Sequence, residues 1–499
     1  MQDKINKYLE LRKKIQAFNF AMYLIGWDSE TEAPIGCFEE RSKQIGVLSQ
    51  MSYDILMCDE NVNLIKDLYA HVDELDHNLQ VEIKNMYKNI MKKLLVPSHE
   101  LIAFDILLSK ASPIWAKAKE TNNYELFKPV LKEIIDFNKK YVEYVKTDER
   151  SGYDVLLDEY EDGSSMAFYD EFFNELRKEI VPLVKKINEA GYHYNEEILT
   201  KKFNINKQKE LASYLMDVMC FDKTKGLIKE SVHPFTSGFG NSDVRITTHY
   251  YEDLLSSSIF SVIHEGGHAT YELQCADELN DTLIGGGSTM AMHESQSRFY
   301  ENIVGRSYEF WERHYPVLKD MFKEELANTS LEDFYHHVNK VECSLIRTEA
   351  DELTYPLHIM VRYEVEKAIF NNEISVDELP KKWNELYKEY LGIDVPNDSL
   401  GVLQDIHWAG GSFGYFPTYA LGSAYAAQLL YAMKKDINFE EVVKQDNLSI
   451  INNWLKEHIH KYGGSMKPNE LLLLSTNEPF NPKYYVKYLK DKYTKIYQL

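Results

Sequence analysis

The chain has 499 residues, of which 44% are hydrophobic and 27% are charged, a composition that fits a soluble intracellular enzyme. Its 56 basic and 79 acidic residues give a formal net charge of −23, so we expect it to repel nucleic acid and anionic membranes. Residues 1–7 form no signal-peptide core, and the longest apolar stretch, residues 420–433, is too short to span a bilayer, which predicts a cytoplasmic protein.

Helical periodicity dominates the first part of the chain. Apolar residues recur at helical spacing over residues 5–22 and 79–94, and Pro97 ends the second pattern. A third pattern runs over residues 164–187. Glycine and proline are dispersed, and neither a linker nor a repeat divides the sequence. We therefore predict a mainly α-helical protein with a single domain over residues 1–499.

The cysteines are few, scattered and odd in number, and none forms a CxxC pair. Such a pattern argues against a disulfide framework and a cysteine-based zinc site, and it predicts buried, reduced thiols. The positions are Cys37, Cys58, Cys220, Cys275 and Cys343.

Residues 243–251 break the helical pattern. They are rich in β-branched and aromatic side chains, and Val244 and Ile246 alternate with Arg245 and Thr247, which predicts a β-strand. A strand in this place could bind an extended peptide by pairing at a sheet edge. The alternative is a solvated edge strand or a turn without a binding role.

The most informative motif follows directly, as His264-Glu265-Gly266-Gly267-His268. Residues four apart share one face of a helix, so both imidazoles can hold one metal ion. Glu265 then lies beside the open coordination position, where it can accept a proton from the attacking water. Two glycines inside a helix each cost about 1 kcal/mol relative to alanine, which indicates that the backbone must stay bare there. The alternative is two ordinary histidines on a surface or core helix.

A catalytic zinc site needs a third protein ligand. After the loop 284–289, where Ser288 or Thr289 can cap a helix, the chain reads His293-Glu294-Ser-Gln-Ser. His293 and Glu294 point about 100° apart on a helix, so only one of them reaches the metal. Two histidines with one carboxylate form a known hydrolytic set, which favours Glu294. Its alternative role is a carboxylate favoured by the helix dipole.

Two segments of the C-terminal half carry further polar groups. Residues 346–352 predict a helix in which Arg347 lies among acidic and hydroxyl groups. This arginine either forms ion pairs or binds a substrate carboxylate with two hydrogen bonds. Residues 401–408 and 411–419 combine glycine, polar and aromatic residues, which predicts either a binding loop or an aromatic core turn. Tyrosine hydroxyls in such a loop can donate to a developing oxyanion.

Taken together, these motifs resemble the carboxypeptidase Taq family of metallocarboxypeptidases, in the family's order and over nearly the whole chain. Residues 27–34 and 153–161 look similar too, although Ser29 and Ala33 depart from the typical residues. The six motifs are His233-Pro234-Phe235, Asp243-x-Arg245-x-Thr247, His264-Glu265-x-x-His268, residues 293–297, residues 346–352 and Gly401-x-x-Gln404-Asp405-x-His407-Trp408.

The resemblance implies a zinc enzyme, with cobalt able to replace zinc, that removes single residues from peptides with a free C-terminus. We expect from it broad specificity, poor action near proline and a homodimer. The expected fold is a helical clam-like zincin body with a deep groove, similar to neurolysin and angiotensin-converting enzyme. Carried over by residue, the resemblance implies that His264, His268 and Glu294 are the metal ligands and that Glu265 is the general base. It implies contacts with the oxyanion or the substrate backbone from His233 and Tyr419. The implied substrate contacts come from Arg347, Arg245, Gln404, His407 and Tyr415, and Arg347 is preferred to Arg245 as the partner of the substrate carboxylate.

Two other classes of protein are compatible with part of this pattern. An endopeptidase or oligopeptidase on the same scaffold would carry the same zinc motif, and only Arg347 and the 401–408 motif favour the exopeptidase. A metal-bearing binding protein would not need Glu265, because a site without catalysis has no use for a general base.

Overall fold

A computed structural model describes residues 1–190 and 195–499, and within them the predicted mainly helical fold, with a small sheet beside the metal helix, is confirmed. Short 3-10 turns join several helices, and a π-helical turn, Phe299–Val304, continues α11. The strands are β1 (Gly226–Glu230), β2 (Thr236–Gly238) and β3 (Val244–Thr248). The helices are α1 (Gln2–Thr31), α2 (Phe38–Met57), α3 (Asp59–Tyr69), α4 (His77–Leu95), α5 (Ser98–Glu120), α6 (Tyr124–Val145), α7 (Tyr153–Tyr160), α8 (Met166–Ala190), α9 (Ile205–Val218), α10 (Leu255–Gln274), α11 (Met290–Arg298), α12 (Tyr308–Met321), α13 (Leu331–Val338), α14 (Tyr355–Phe370), α15 (Leu379–Leu391), α16 (Pro417–Asp436), α17 (Phe439–Lys444), α18 (Leu448–His458), α19 (Pro468–Thr476) and α20 (Lys483–Tyr497).

The three helices predicted from apolar periodicity are present as α1, α4 and α8. Helix α4 begins after Asp76, whose side chain accepts a hydrogen bond from the Leu79 N–H, and it ends before Pro97. At the start of α8, the hydroxyl of Ser165 accepts a hydrogen bond from the Phe168 N–H. Both helices bury most of the apolar face that the sequence indicates, although Leu94 near the end of α4 is exposed.

The buried apolar side chains form two clusters. A small cluster comes from α1, α3 and α4, and a large one contains the metal helix and the C-terminal helices. Glu82, which is buried, connects α1 and α4 to the loop before α11: it accepts hydrogen bonds from Arg12 at 3.0 Å and from the Leu283 N–H at 2.5 Å. The single domain over residues 1–499 stays a prediction.

The small sheet has the order β1-β3-β2, so the strand predicted at residues 244–248 is its central strand. It pairs in parallel with β1 and antiparallel with β2. The expectation of an edge strand free to bind a peptide is therefore wrong for β3, because both of its edges already have partners. The edges of the sheet belong to the two short neighbours instead.

Helix α10, which carries the His-Glu-x-x-His motif, packs against α11, and α11 packs in turn against α16. A Cβ at Gly267 would lie 2.8 Å from the Gln296 carbonyl oxygen, and a Cβ at Gly422 of α16 would lie 2.8 Å from the Glu294 side chain. Bare backbone on both flanking helices thus lets α11 approach closely. This explains the glycine that the sequence places inside α10.

Two smaller expectations are wrong. Residues 346–352 do not form an α-helix, because the Asp351 carboxylate accepts the N–H groups of Leu353 and Thr354 and holds a turn before α14. All five cysteines are free, as expected, but only Cys275 is buried, while Cys58 and Cys220 are exposed.

None of the helices in the described ranges combines the length and the apolar character that crossing a bilayer requires.

Candidate metal centre

Three side chains converge at the contact between α10 and α11. The Nε2 atoms of His264 and His268 each lie 3.6 Å from Oε2 of Glu294, and one ligand atom from each residue lies within 4.8 Å of the others. In a tetrahedral zinc site with bonds of about 2.0–2.1 Å, ligand atoms are about 3.4 Å apart. The two distances to Glu294 are therefore close to those of a tetrahedral metal site.

The ionisation of these groups suits a cation. Burial lowers the pKa of His268 to about 3, so its imidazole is neutral and keeps a lone pair for a metal. Burial opposes ionisation of Glu294, but the Arg298 guanidinium and the neighbouring histidines hold its pKa well below the usual range. Burial opposes protonation of His264, but the carboxylates of Glu294 and Glu301 outweigh burial and raise its pKa, so a metal ion would displace a proton from this imidazole.

A second layer of charged groups fixes the ligands. Glu301 accepts a hydrogen bond from Nδ1 of His264 at 2.8 Å, which leaves Nε2 of that ring facing the site. Arg298 donates to Glu294 at 2.7 Å and to Glu301 at 3.1 Å, and Arg306 donates to Glu301 at 3.2 Å. Sequence reasoning missed these residues, although the spacing from Glu294 to Arg298 is that of an i,i+4 ion pair.

His293, the alternative third ligand, lies behind His268 rather than beside the metal position. Its Nδ1 is 2.6 Å from Nδ1 of His268, and its Nε2 is 2.7 Å from Oε1 of Glu272. The structure thus brings Glu294, and not His293, together with the two histidines of α10.

Glu265 is buried near the middle of α10, and strand β2 supplies its hydrogen-bond partner. Oε2 of Glu265 accepts a hydrogen bond from the Thr236 hydroxyl at 2.7 Å. Burial raises the pKa of Glu265 above its usual value, which suits a carboxylate that must accept a proton near neutral pH. Thr236 directly follows the His-Pro-Phe motif, and this position was the only feature of the sequence that could have indicated Thr236 as a site residue.

Arg347 belongs to a buried cluster with Arg362, Gln404 and Asp405. It donates from Nε and Nη2 to Asp405 at 3.1 and 2.9 Å, and Arg362 donates to the other oxygen of Asp405 at 2.7 Å. Gln404 accepts from the Arg347 N–H at 3.1 Å and from Arg362 at 2.7 Å. Two guanidinium groups share one carboxylate, so the cluster carries a net positive charge.

Aromatic side chains connect this cluster to the metal ligands. The guanidinium of Arg298 lies 4.6 Å from the centroid of the Tyr355 ring, and the Tyr355 hydroxyl is 3.4 Å from Arg347. Arg347 lies 5.4 Å from the ring of Tyr419, whose hydroxyl is 3.1 Å from that of Tyr415. The predicted substrate residues Arg347, Tyr415 and Tyr419 are therefore neighbours on one side of the centre.

His407 completes this neighbourhood as a neutral group. Its ring lies 5.3 Å from the ring of Tyr415, and burial lowers the pKa of His407 to about 4. At neutral pH it therefore offers a hydrogen bond rather than a charge.

Two further predicted site residues belong to the sheet region beside the metal helix. Arg245 forms a two-point ion pair with Asp243, at 2.8 and 2.7 Å, and packs over Phe239 and Trp27 on the sheet side. His233 is exposed in the loop before β2. Since Arg245 has a full carboxylate partner of its own, its pair is neutral, unlike the Arg347 cluster.

Comparisons with known proteins agree with this geometry. The family model described as carboxypeptidase Taq (M32) metallopeptidase matches residues 7–493. Carboxypeptidase 1 of Bacillus subtilis (strain 168) is 40% identical over 494 residues, covering 99% of this chain and 98% of its own. Thermostable carboxypeptidase 1 of Pyrococcus furiosus is 38% identical over 494 residues and covers 98% of both chains. The solved structure of an M32 carboxypeptidase from Deinococcus radiodurans R1 has a TM-score of 0.95 at 29% identity and covers 100% of both chains.

Proposed function

Because this chain belongs to the carboxypeptidase Taq (M32) family of metallopeptidases, and so hydrolyses peptide bonds, we propose that it is a zinc carboxypeptidase that releases single residues from peptide C-termini. The observation that carries the proposal is the convergence of His264, His268 and Glu294 beside the buried Glu265. Broad specificity with poor action near proline, replacement of zinc by cobalt, a homodimer and a cytoplasmic location complete the proposal and rest on the family resemblance.

His264, His268 and Glu294 would hold the metal. A zinc ion bound there would supply a Lewis acid for the scissile carbonyl and lower the pKa of water towards neutrality. Glu265, oriented by Thr236, takes a proton from the attacking water and passes it to the leaving amine. Its raised pKa helps the first transfer, because a weaker acid has a conjugate base that takes up a proton more readily.

Of the two predicted oxyanion donors, Tyr419 is the less exposed. Burial raises its pKa far above the usual value for tyrosine, so its hydroxyl stays protonated and can donate. Tyr415 bonds to it at 3.1 Å and orients that hydroxyl. A preorganised donor of this kind stabilises the transition state because it needs no reorientation when charge develops. His233, which is exposed, is the weaker of the two proposed donors.

The positive cluster around Arg347 explains how the enzyme would recognise a chain end. A free C-terminal carboxylate neutralises the surplus charge that Asp405 leaves on Arg347 and Arg362. An internal peptide bond offers no charge and leaves the cluster without its partner. Gln404 and His407 hold or flank this cluster and would contribute to the same recognition.

A mixed peptide digest followed over time by mass spectrometry tests the proposal. We expect ladders that shorten by one residue from the C-terminus, that stop at proline, and that disappear with 1,10-phenanthroline and return with zinc or cobalt. Internal cleavage products, or ladders unaffected by the chelator, would contradict it.

A further inference from the structure

We propose that His293 and Glu272 form a hydrogen-bonded relay that orients His268 towards the metal, so that both are positioning residues of the centre. The proposal rests on the ligand set His264, His268 and Glu294. It concerns His293, which contacts the ligand His268 but lies outside the ligand set, and Glu272 near the end of α10.

The hydrogen-bond chain has only one consistent set of tautomers. A neutral His268 that presents the Nε2 lone pair to a metal carries its proton on Nδ1. That proton points at Nδ1 of His293, 2.6 Å away, which must therefore accept. His293 is then protonated on Nε2 and donates to Oε1 of Glu272 at 2.7 Å. Each donor in the chain meets an acceptor, and the last acceptor is a carboxylate.

The two histidine ligands are thus supported differently. His264 donates directly to Glu301, while His268 reaches its carboxylate only through His293. A carboxylate behind a metal-bound imidazole fixes the ring and strengthens it as a ligand. His293 lies between His268 and Glu272 and transmits that effect.

Glu272 is held as an anion. Burial raises its pKa, but hydrogen bonds from His293 and from the Gly287 N–H, at 3.0 Å, outweigh burial and lower it below the usual value. The relay therefore ends on a charged acceptor inside the protein.

The glycine-rich loop before α11 is shaped around this relay. A Cβ at Gly287 would lie 2.5 Å from the ring of His293, and a Cβ at Gly286 would lie 3.2 Å from the Glu272 carboxylate. Across the carboxylate, a Cβ at Gly238 of β2 would lie 2.8 Å from Oε2 of Glu272. Three glycines from two segments leave space for the same two side chains, which gives the loop 284–289 a role beyond connecting helices.

Metal affinity, measured by competition with a coloured chelator using cobalt and zinc as probes, tests the relay independently of activity. His293→Ala should weaken metal binding by about 10–100-fold and change the visible spectrum of the cobalt-loaded protein. His293→Asn, which keeps an acceptor near His268 but loses the donor to Glu272, should lie between this variant and the parent. His71→Ala is the matched control, because His71 forms a 2.9 Å pair with Glu74 on the exposed surface.

A double-mutant cycle separates a relay from two independent contacts. Glu272→Gln should weaken metal binding in the parent but have little further effect in the His293→Ala background, because Glu272 acts through His293. Unfolding of the metal-free proteins checks that each variant is folded. Affinity of His293→Ala and His293→Asn within twofold of the parent, or an equal effect of Glu272→Gln in both backgrounds, would overturn the relay. If His268→Ala also binds metal as tightly as the parent, the ligand set itself is wrong; if only His268→Ala loses the metal, the relay alone fails.

Discussion

Glu265 and Glu294 lie on the neighbouring helices α10 and α11, yet their surroundings shift their pKa values in opposite directions. Burial raises the pKa of Glu265, while Arg298 and the histidines hold that of Glu294 well below its usual range. A pair of carboxyl groups with pKa values driven apart identifies a base and a permanently charged group. The chemistry proposed here assigns the base to Glu265 and the ligand to Glu294 on this ground as well as on position.

Glu265→Gln should keep the metal and lose most turnover, because an amide cannot accept the proton from the attacking water. The expected decrease in kcat is about 10²–10⁴-fold. The Thr236 hydroxyl can still donate to the amide oxygen, so the local fold should persist. Turnover and metal content are measured together, with Glu278→Gln on the exposed surface as the control. Near-normal turnover of Glu265→Gln would show that another group is the base.

Arg347→Ala should lower kcat/KM by at least about tenfold for peptides with a free C-terminus, since a charge-assisted pair contributes about 1.5–3 kcal/mol. Asp405 keeps Arg362 as its partner, so fold and metal content should not change. The preference for free over amidated peptides should shrink in the same variant.

Arg313→Ala is the control for the loss of one positive charge, because the Arg313 side chain is 57% exposed. Arg245→Ala tests the alternative anchor. If Arg347→Ala keeps the full preference for free carboxylates while Arg245→Ala loses it, the anchor is Arg245.

At the scale of elements, the centre depends on how closely α11 lies between α10 and α16. Gly267 and Gly422 face α11 from opposite sides, and neither position has space for a Cβ without movement of backbone or of Glu294. The position of Glu294 relative to the two histidines is therefore set by backbone contact between helices.

Gly267→Ala should weaken metal binding and lower the melting temperature, because the new methyl group must displace the backbone of Gln296 and Ser297. Gly46→Ala in α2 is the matched control: nothing lies within 4 Å of its Cβ position, and alanine favours a helix by about 0.5–1 kcal/mol. Differential scanning calorimetry and metal analysis of both variants check this. Unchanged metal affinity in Gly267→Ala would contradict the role given to close packing.

What the sequence predicts well is local. The spacing of His264 and His268, the cap at Thr289 and the apolar stripes of α1, α4 and α8 all lie within a few turns, where periodicity decides the structure. The central place of β3 was not predictable, because its partners are a short strand with few apolar residues and a three-residue strand. The turn at Asp351 was missed because a side chain replaces the helix's own hydrogen bonds.

The residues of the site also fall into those that local sequence predicts and those that it does not. Glu294 could be predicted because it follows a cap and a glycine loop, whereas Glu301 could not, since a π-helical turn brings it under His264. Thr236 and Glu272 reach the centre only through the packing of β2 and the loop 284–289 against α10. Such contacts between distant segments have no periodic signature.

At the scale of the whole molecule, stability should depend on pH through a buried carboxyl group. Glu161 accepts a hydrogen bond from the Tyr425 hydroxyl at 3.2 Å, while its other oxygen has no hydrogen-bond partner. Burial raises the pKa of Glu161 to about 7, so the folded protein holds a proton that the unfolded chain releases near pH 4.5. The stability from this group is complete below pH 4.5 and is lost as the pH rises to about 7.

Glu161→Gln, which is neutral at every pH, should therefore gain stability relative to the parent between about pH 5 and 7 and no more above it. The difference grows by at most about 1.4 kcal/mol per pH unit. Urea unfolding of both proteins at a series of pH values measures it. A difference that does not change with pH would show that Glu161 is already ionised in the folded state.

The whole molecule is strongly acidic, with a net charge of −23, and yet the proposed substrate is an anion at its C-terminus. Recognition must therefore come from a local surplus of positive charge, and the Arg347–Arg362–Asp405 cluster is buried, where screening by salt is weak. On this account, the buried cluster beside the metal centre makes the enzyme an exopeptidase.

The most direct test of this account is a competition between two forms of one peptide, one with a free C-terminal carboxylate and one with a C-terminal amide, in a single reaction with the zinc-loaded protein. Mass spectrometry follows the loss of each. We predict that the free acid loses its terminal residue while the amide stays intact, and that chelator stops the reaction. Cleavage of both forms at similar rates, or at an internal bond, would contradict the central claim and indicate an endopeptidase.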